Sequence, residues 1–281
     1  MCKNESEHRI NQQNMDLINT IKKAKKPVIM GILNVTPDSF SDGSQFNNLE
    51  KAIKRIKEME KEGADIIDIG GESTGPNSKD VSLEEERKRV IPILKEALKM
   101  TKLPISIDTY KSEIAEECLK LGAKIINDVT ALRGDKNMGK IIAKYKATLI
   151  IMYSKDQTAR TTQTEKHYKN VTETVTNFLK QQIKKAKKSG IKESQIIIDP
   201  GMGNFVSKLP KYSFEILNNI QKLKILKKPI CIGASRKSFL GGKMEERDTK
   251  GEMVSAIAYL NGASIIRTHD VKGTKNILEI L

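Results

Sequence analysis

The chain has 281 residues, of which 38% are hydrophobic and 30% charged, and its formal net charge is +15. This length suits one (β/α)8 barrel, which typically takes about 250 residues, and no apolar run is long enough to cross a bilayer. The positive charge comes from 41 lysines spread over nearly every predicted helix, against 9 arginines and 4% aromatic residues. That pattern argues against a nucleic-acid or membrane partner and favours an anionic small substrate.

The N-terminal residues and the cysteines bear on the location of the protein and on its domain division. The first residues, MCKNESEHRINQQNMD, lack the apolar core of a signal peptide, and the three cysteines show neither disulfide nor metal-ligand spacing: Cys2, Cys118 and Cys231. Both features predict a cytoplasmic location. We predict a polar, lysine-rich N-terminal extension over residues 1–26, with an amphipathic helix under the barrel over 15–26, and a single catalytic domain over 27–281.

Short apolar runs rich in β-branched residues recur eight times, as in buried parallel strands. They cover residues 28–35, 65–71, 104–109, 124–129, 147–152, 195–201, 229–235 and 264–270. Helical patterns lie between them, as over residues 49–63, 82–100 and 168–190, and Ser82 with Glu85 predicts a capping box at the start of one of them. Eight alternating strands and helices in this length predict a closed α/β (TIM) barrel rather than an open sheet. The connection over 153–166 is the longest and is rich in threonine.

Seven of the eight predicted strands are apolar until their last residues, where polar side chains appear. They are Asn34, Asp68, Asp108, Asn127, Asp128, Asp199, Ser235, Arg236, Lys237, Arg267, His269 and Asp270. In an α/β barrel all strand ends meet at the C-terminal mouth, where active sites lie. Because burying so many unpartnered polar groups is costly, the pattern predicts a binding site at this rim.

The chemistry of these residues divides the predicted site in two. Asp108, Asn127 and Asp199 offer carboxylate and amide edges that suit a flat heterocycle with several N–H donors and ring acceptors. The cationic group follows the last two strands, the usual phosphate site of such barrels, and comprises Arg236, Lys237, Arg267 and His269. The residues alone therefore predict a polar heterocycle next to an anionic, phosphorylated group.

Eight segments at these strand ends resemble the dihydropteroate synthase family in order and spacing. They are MGILNVTPDSFSDG (30–43), DIGGEST (68–74), ISIDTYK (105–111), INDV (126–129), IIM (150–152), DPGMG (199–203), GASRKSF (233–239) and RTHDV (267–271). The resemblance covers the chain from about residue 27 to its end. It implies the condensation of 6-hydroxymethyl-7,8-dihydropterin diphosphate with 4-aminobenzoate in folate synthesis, a transferase activity that sulfonamides target.

The resemblance also implies a role for each matching residue. Pterin binding falls to Asp108, Asn127, Met152, Asp199 and Lys237. Diphosphate binding falls to Thr74, Arg267 and His269, and the Mg²⁺ cofactor on the diphosphate has Asn34 as its ligand. The 4-aminobenzoate pocket is formed by Phe40, Pro76, Ser235 and Ser238, with Ser238 expected at the start of the helix after the seventh strand. Catalysis is assigned to Asp42, Lys237, Arg267 and His269, with the loop 36–46 closing over the site.

Three positions depart from the family pattern. Gly75 stands where an arginine usually follows the threonine of GEST, Tyr153 where histidine is common, and Asn204 where an aromatic residue often packs, although Phe205 follows it. We expect these changes to affect the second substrate more than the pterin, and Lys79 is a candidate to replace the missing cation. Asp68 and Asp128 are expected to be structural, and Asp270 to orient His269 or cap the last helix.

Other functions fit some of the same residues. A pterin-binding methyltransferase that uses methyltetrahydrofolate needs the same Asp and Asn platform, but not the diphosphate set. A non-catalytic pterin-binding paralogue is supported by Gly75. Family members often dimerise through barrel helices, which makes a homodimer one expectation beside the small-molecule substrates.

Overall fold

The computed structural model describes residues 17–36 and 45–281, with the side chains of 45–47 excepted. Eight strands are present: β1 Val28–Asn34, β2 Ile66–Gly70, β3 Ile105–Asp108, β4 Ile125–Asp128, β5 Thr148–Met152, β6 Ile196–Asp199, β7 Cys231–Ile232 and β8 Ile265–Thr268. A helix follows each: α1 Gln45–Glu62, α2 Leu83–Met100, α3 Ser112–Leu121, α4 Met138–Tyr145, α5 Val171–Lys188, α6 Pro210–Asn218, α7 Met244–Leu260 and α8 Val271–Glu279.

The strands form one parallel barrel. Each strand from β1 to β5 pairs with the next, and β1 also pairs with β8, which pairs with β7. A single bridge between Ile198 and Ile230 joins β6 to β7, supported by a hydrogen bond from Ile198 N to Pro229 O (3.0 Å). The predicted (β/α)8 barrel is therefore confirmed, and β7 is the shortest of its strands.

Both faces of the strands are buried, which explains their continuous apolar sequence. Alternate residues belong to two separate clusters. One packs outwards against the helices and contains Ile67, Ile126 and Ile198. The other fills the barrel interior and contains Met30, Ile66, Ile125, Ile150, Ile197, Cys231 and Ile265. Successive residues of a strand face the interior and the helices in turn. A polar residue at the carboxyl end of a strand therefore faces one or the other according to its position along the strand.

A helical segment over residues 17–23 lies below the barrel. Its Ile18 and Ile21 are almost completely buried and belong to the interior cluster rather than to the helix-facing one. The segment thus covers the end of the barrel opposite to the mouth, where the interior side chains would otherwise face water. The division of the chain at residue 27 stays a prediction.

The connections follow the predicted pattern. Ser82 Oγ accepts a hydrogen bond from Glu85 N (3.2 Å) and caps α2, and the long β5–α5 loop, residues 153–170, contains no helix or strand. In the described part of the chain, no helix combines the length and apolar character needed to cross a membrane.

Candidate active site

The upper layer of the barrel interior is polar. Asp68, Asn127, Asp199 and Arg267 each lie two residues beyond a member of the apolar interior cluster, so their side chains enter the barrel above it. Ser106 pairs with Asp68 in register and therefore faces the same way. Asp108 lies two residues after Ser106, so its side chain also faces the interior. The structure therefore brings these predicted residues together at the mouth.

Arg267 organises this layer. Its Nε donates to Asp68 Oδ2 and its Nη2 donates to Asp108 Oδ2, both at 2.7 Å, while Asn127 Nδ2 donates to Asp68 Oδ2 (3.2 Å). Burial raises the pKa of Asp108 to about 7, with Arg267 opposing the shift and the Asp68 carboxylate adding to it. Two carboxylates on one guanidinium raise the pKa of Arg267 against its own burial, so its charge is secure.

Asp199 and Lys237 form the opposite wall. Asp199 Oδ1 accepts a hydrogen bond from Gly201 N (2.7 Å), and Lys237 Nζ donates to Met202 O (3.3 Å) while lying 4.6 Å from the centre of the Phe205 ring. Burial lowers the pKa of Lys237 to about 8, and the Asp199 carboxylate opposes this shift. Burial likewise raises the pKa of Asp199. Both charges are therefore held at a cost in solvation, as is common at functional sites.

His269 is fixed by two side chains at the end of β8. Asn34 Nδ2 lies 3.3 Å from its Nε2, and Ser235 Oγ lies 3.0 Å from its Nδ1. With Asn34 donating, Nε2 is the acceptor and the proton resides on Nδ1. Burial, followed by the charges of Arg236 and Arg267, lowers the pKa of His269 to about 3, so the imidazole is neutral.

Two adjoining cavities open above these groups. The larger, of about 550 Å³, is lined by Pro76, Thr161, Phe205, Ser235, Arg236, Lys237, Ser238 and Arg247, among others. The smaller, of about 260 Å³, is lined by Asn34, Thr36, Glu72, Thr74, Asp108 and others. Asn34, Gly75, Arg267 and His269 line both. Asn127, Met152 and Asp199 lie deeper, with 7%, 7% and 6% of their surface exposed. Met152 packs there against Val129, Ala159 and Phe205.

The sequence matches a known protein family. The family sequence profile described as pterin binding enzyme matches residues 30–269, which is most of the barrel. The chain belongs to the pterin-binding enzyme family.

Relatives within the family cover nearly the whole chain. A dihydropteroate synthase of Clostridium beijerinckii is 43% identical over 252 residues, which are 88% of this chain and 90% of the relative. The crystal structure of a dihydropteroate synthase from Clostridium difficile with pteroic acid superposes with a TM-score of 0.85 at 42% identity, covering 91% of this chain and 95% of the other. That of the Xanthomonas albilineans enzyme with 4-aminobenzoic acid has a TM-score of 0.85 at 35% identity, covering 91% and 92%.

Each of the three departures from the pattern of this pterin-binding family has a structural context. Gly75 lines both cavities, and among the described residues a Cβ atom there would meet only Ser73 Oγ, 3.6 Å away. Tyr153 points away from the mouth, because it follows the inward-facing Met152, and its ring packs edge-on against Phe178 at 5.1 Å. Asn204 Nδ2 donates to Ser238 Oγ (3.3 Å), which leaves Phe205 as the ring beside Lys237. Lys79 is not part of the lining of either cavity.

The structure changes the expectation for Ser238. The resemblance predicts Ser238 at the start of the helix after the seventh strand, but Ser238–Leu240 is a three-residue 3₁₀ helix and α7 begins only at Met244. Gly241 and Gly242 follow with φ of 65° and 72°, a conformation that ends the 3₁₀ helix. A carboxylate at Ser238 therefore gains nothing from the dipole of α7.

Some predicted residues are not part of the described site. Phe40, Asp42 and most of the loop 36–46 lie outside the described residues. Asp128 is structural, as expected: its carboxylate accepts hydrogen bonds from Thr130 and Leu132 and is fully buried. Asp270 Oδ1 accepts from Gly273 N (2.9 Å), so it caps α8.

Sequence reasoning missed several residues that hold the site. Asp68 is more than a rim residue, because it shares Arg267 with Asp108 and also accepts from Asn127. Arg55 of α1 donates to His269 O (3.1 Å). Arg160 pairs with Glu72, 88 positions earlier in the chain. The only available signal for Glu72 was its place inside DIGGEST, and no local pattern indicated Arg160.

Proposed function

We propose that this chain is a dihydropteroate synthase, which joins 6-hydroxymethyl-7,8-dihydropterin diphosphate to 4-aminobenzoate and releases diphosphate. The observation that carries the proposal is that two chemically different sets of side chains lie next to each other at the mouth of the barrel. A buried set of carboxylates and an amide, suited to a heterocycle, adjoins a set of Arg267, His269, Asn34 and Thr74, suited to an anion. The dihydropteroate synthases of Clostridium beijerinckii and Xanthomonas albilineans are 43% and 35% identical to the chain over the aligned residues.

In this proposal the pterin ring lies in the upper barrel interior. Asp199 accepts from the ring N–H groups through the carboxylate oxygen that Gly201 leaves free, and Asn127 serves as donor and acceptor at the ring edge. Asp108 retains one oxygen that Arg267 does not use. The Lys237 ammonium donates to a ring acceptor, and Met152 packs against one face of the ring. Buried, already positioned groups of this kind bind without reorganising.

The diphosphate then lies in the smaller cavity, against Thr74, Arg267 and the neutral imidazole of His269. Within the described residues there is no group of three or more His, Cys, Asp or Glu side chains that could hold a metal. A site with one protein oxygen still fits Mg²⁺, which commonly keeps several waters and binds chiefly through substrate phosphates. Asn34 supplies that oxygen, because its Nδ2 is engaged by His269 and its Oδ1 is left free. Bound Mg²⁺ would offset charge on the departing diphosphate.

The reaction is a substitution at the pterin methylene carbon. The C–O bond to the diphosphate breaks and its electron pair leaves with the diphosphate oxygen, whose charge the Arg267 guanidinium offsets. The ring nitrogens stabilise the resulting cation. The amine of 4-aminobenzoate, held between Pro76, Phe205, Ser235 and Ser238, donates its lone pair to form the C–N bond and then loses a proton. The protein needs no nucleophile of its own.

Incubation of the purified protein with the pterin diphosphate, 4-aminobenzoate and Mg²⁺ tests this function. We expect dihydropteroate and diphosphate in equal amounts, and competitive inhibition by a sulfonamide against 4-aminobenzoate. Pterin diphosphate binding without product would instead indicate the non-catalytic paralogue. Methyl transfer from methyltetrahydrofolate without condensation would indicate the methyltransferase.

We also propose a homodimer and a cytoplasmic location. The C-terminal half of α7, residues 253–260, is apolar on both sides: Val254 and Ala258 are buried against the barrel, while Met253, Ile257 and Leu260 are exposed on the outer face. A helical segment that is apolar all round is ordinarily covered, and a second copy would cover this one. Light scattering after gel filtration distinguishes a 31.5 kDa monomer from a dimer of twice that mass.

The proposed cytoplasmic location rests on the cysteines. The unpaired, buried Cys118 and Cys231 suit a reducing compartment.

A further inference from the structure

The β5–α5 loop, residues 153–170, connects three other parts of the mouth through one residue. Thr161 N donates to Thr74 O (3.1 Å), and Thr161 Oγ1 donates to Asn204 O (2.7 Å). Asn204 in turn donates to Ser238 Oγ (3.3 Å). A continuous series of hydrogen bonds therefore crosses the larger cavity from the β2–α2 loop, residues 71–82, to the turn after β7.

The preceding residue, Arg160, fastens this loop to the β2–α2 loop. Its Nε donates to Ser78 O (3.0 Å) and its Nη2 donates to Lys79 O (2.5 Å). The same guanidinium pairs with the carboxylates of Glu72 and Asp80. One side chain thus binds residues near both ends of the β2–α2 loop, which only a planar group with several fixed donors can do.

Glu72 is a well-supported anchor for Arg160. Its side chain is only 3% exposed, and it also accepts from Tyr110 Oη (3.2 Å) and Lys111 Nζ (2.5 Å). Loss of Arg160 therefore leaves the buried carboxylate paired with a cation, and the fold should survive the change. What is lost is the link between the two loops.

We propose that Arg160 is a positioning residue that holds the β2–α2 loop in the conformation presenting Thr74 and Pro76 to the ligands, a role that rests on the proposed function for the identity of those ligands. The loop contains Gly75 at its centre, where no side chain restricts the backbone or contacts the cavity wall. Its geometry therefore depends on outside anchors, and Arg160 with Thr161 supplies them. Arg160 itself is not in the lining of either cavity.

Amide hydrogen exchange of the protein without ligands tests the clamp directly. In Arg160→Ala we expect peptides over residues 71–82 to exchange about tenfold faster or more, with the strands unchanged. Arg160→Lys should lie between, since an ammonium cannot engage all four partners. The matched control is Arg87→Ala, which also removes a guanidinium from two carboxylates, Glu84 and Glu117, but on the outer surface of α2 and α3. Its loop exchange should equal that of the wild type.

Kinetics separate positioning from a general loss of structure. In Arg160→Ala we expect KM for 4-aminobenzoate to rise about tenfold, which corresponds to 1.4 kcal/mol, while the affinity for a pterin without diphosphate stays unchanged. Arg160→Lys should restore part of the loss. Unchanged exchange over 71–82, or faster exchange throughout the barrel, would overturn the proposal. If the wild type makes no dihydropteroate, the proposed function fails, whereas the exchange comparison still decides the role of Arg160.

Discussion

At the residue scale, the site combines charges that are stable only together. Arg267 lies between Asp68 and Asp108, and Lys237 interacts with Asp199 on the opposite wall. Each of these groups is buried or half-buried, so the removal of one charge leaves its partner uncompensated. Substitutions here that keep the size of the side chain should therefore act on ligand affinity and on the pH dependence of activity.

Asp199→Asn tests the pterin assignment. The amide is nearly the same size but loses the charge that accepts paired N–H groups, so the dissociation constant for the pterin diphosphate should rise about 10- to 100-fold. The KM for 4-aminobenzoate should change little. Isothermal titration calorimetry measures the first quantity, and Asp135→Asn is the control, because Asp135 also accepts backbone N–H groups but belongs to the β4–α4 loop and not to the polar layer inside the barrel. Unchanged pterin affinity would refute the assignment.

Lys237 should set the alkaline limit of activity. Its pKa is lowered to about 8 by burial, so the ammonium loses its proton as the pH rises through 8, and with it the hydrogen bond to the pterin. We expect kcat/KM for the pterin diphosphate to fall about tenfold per pH unit above that point. Lys237→Arg should remove this limb at a lower overall rate, because arginine stays protonated. A limb that persists in Lys237→Arg would assign it to another group.

The candidate residues at the strand ends could be predicted because each follows an apolar run in the local sequence. Their partners could not. Asp68 and Arg267 are 199 positions apart, and only closure of the barrel between β1 and β8 makes them neighbours. The roles of Phe40 and Asp42 stay predictions.

At the element scale, periodicity and capping signals predicted the helices closely. The pattern over 82–100 corresponds to α2, Leu83–Met100, and that over 168–190 to α5, Val171–Lys188. The exception is the segment after β7, where the pattern did not distinguish a 3₁₀ turn at Ser238 from the start of α7. Such a distinction depends on how Phe239 and Leu240 pack, and both are buried.

Ser82→Ala tests the cap of α2. The serine is exposed, yet its Oγ satisfies Glu85 N at the first turn. Loss of that bond should lower the free energy of unfolding by about 1 kcal/mol, measured by urea denaturation. The exposed Ser194 makes no comparable cap, so Ser194→Ala should leave the stability within about 0.5 kcal/mol of the wild type. Equal effects of the two changes would exclude a capping role.

At the scale of the whole molecule, the two ends of the barrel have different tasks. The mouth carries the polar groups of the candidate site, whereas at the opposite end Ile18 and Ile21 of the helical segment over 17–23 are buried in the interior core. Stability should therefore depend on residues that are remote from the ligands.

Ile18→Ala tests this dependence. The side chain is 1% exposed, and its truncation leaves a cavity that should lower the free energy of unfolding by about 2–4 kcal/mol. Ile225→Ala, at a position 74% exposed, is the control and should have little effect. Pterin affinity should be unchanged in both variants. An Ile18→Ala protein as stable as the control would mean that the segment does not contribute to the barrel core.

The sequence by itself determined the barrel and its polar rim, because eight apolar runs of strand length alternating with amphipathic helices have few other ways to bury their surface. The same continuous apolar runs conceal which residues face inwards, since both faces of a parallel strand are buried. Only the tertiary structure decided that Met152 and Asn127 enter the barrel while Tyr153 and Asp128 do not. It also decided that Arg160 reaches Glu72, a contact between loops whose approach is set by the curvature of the closed barrel.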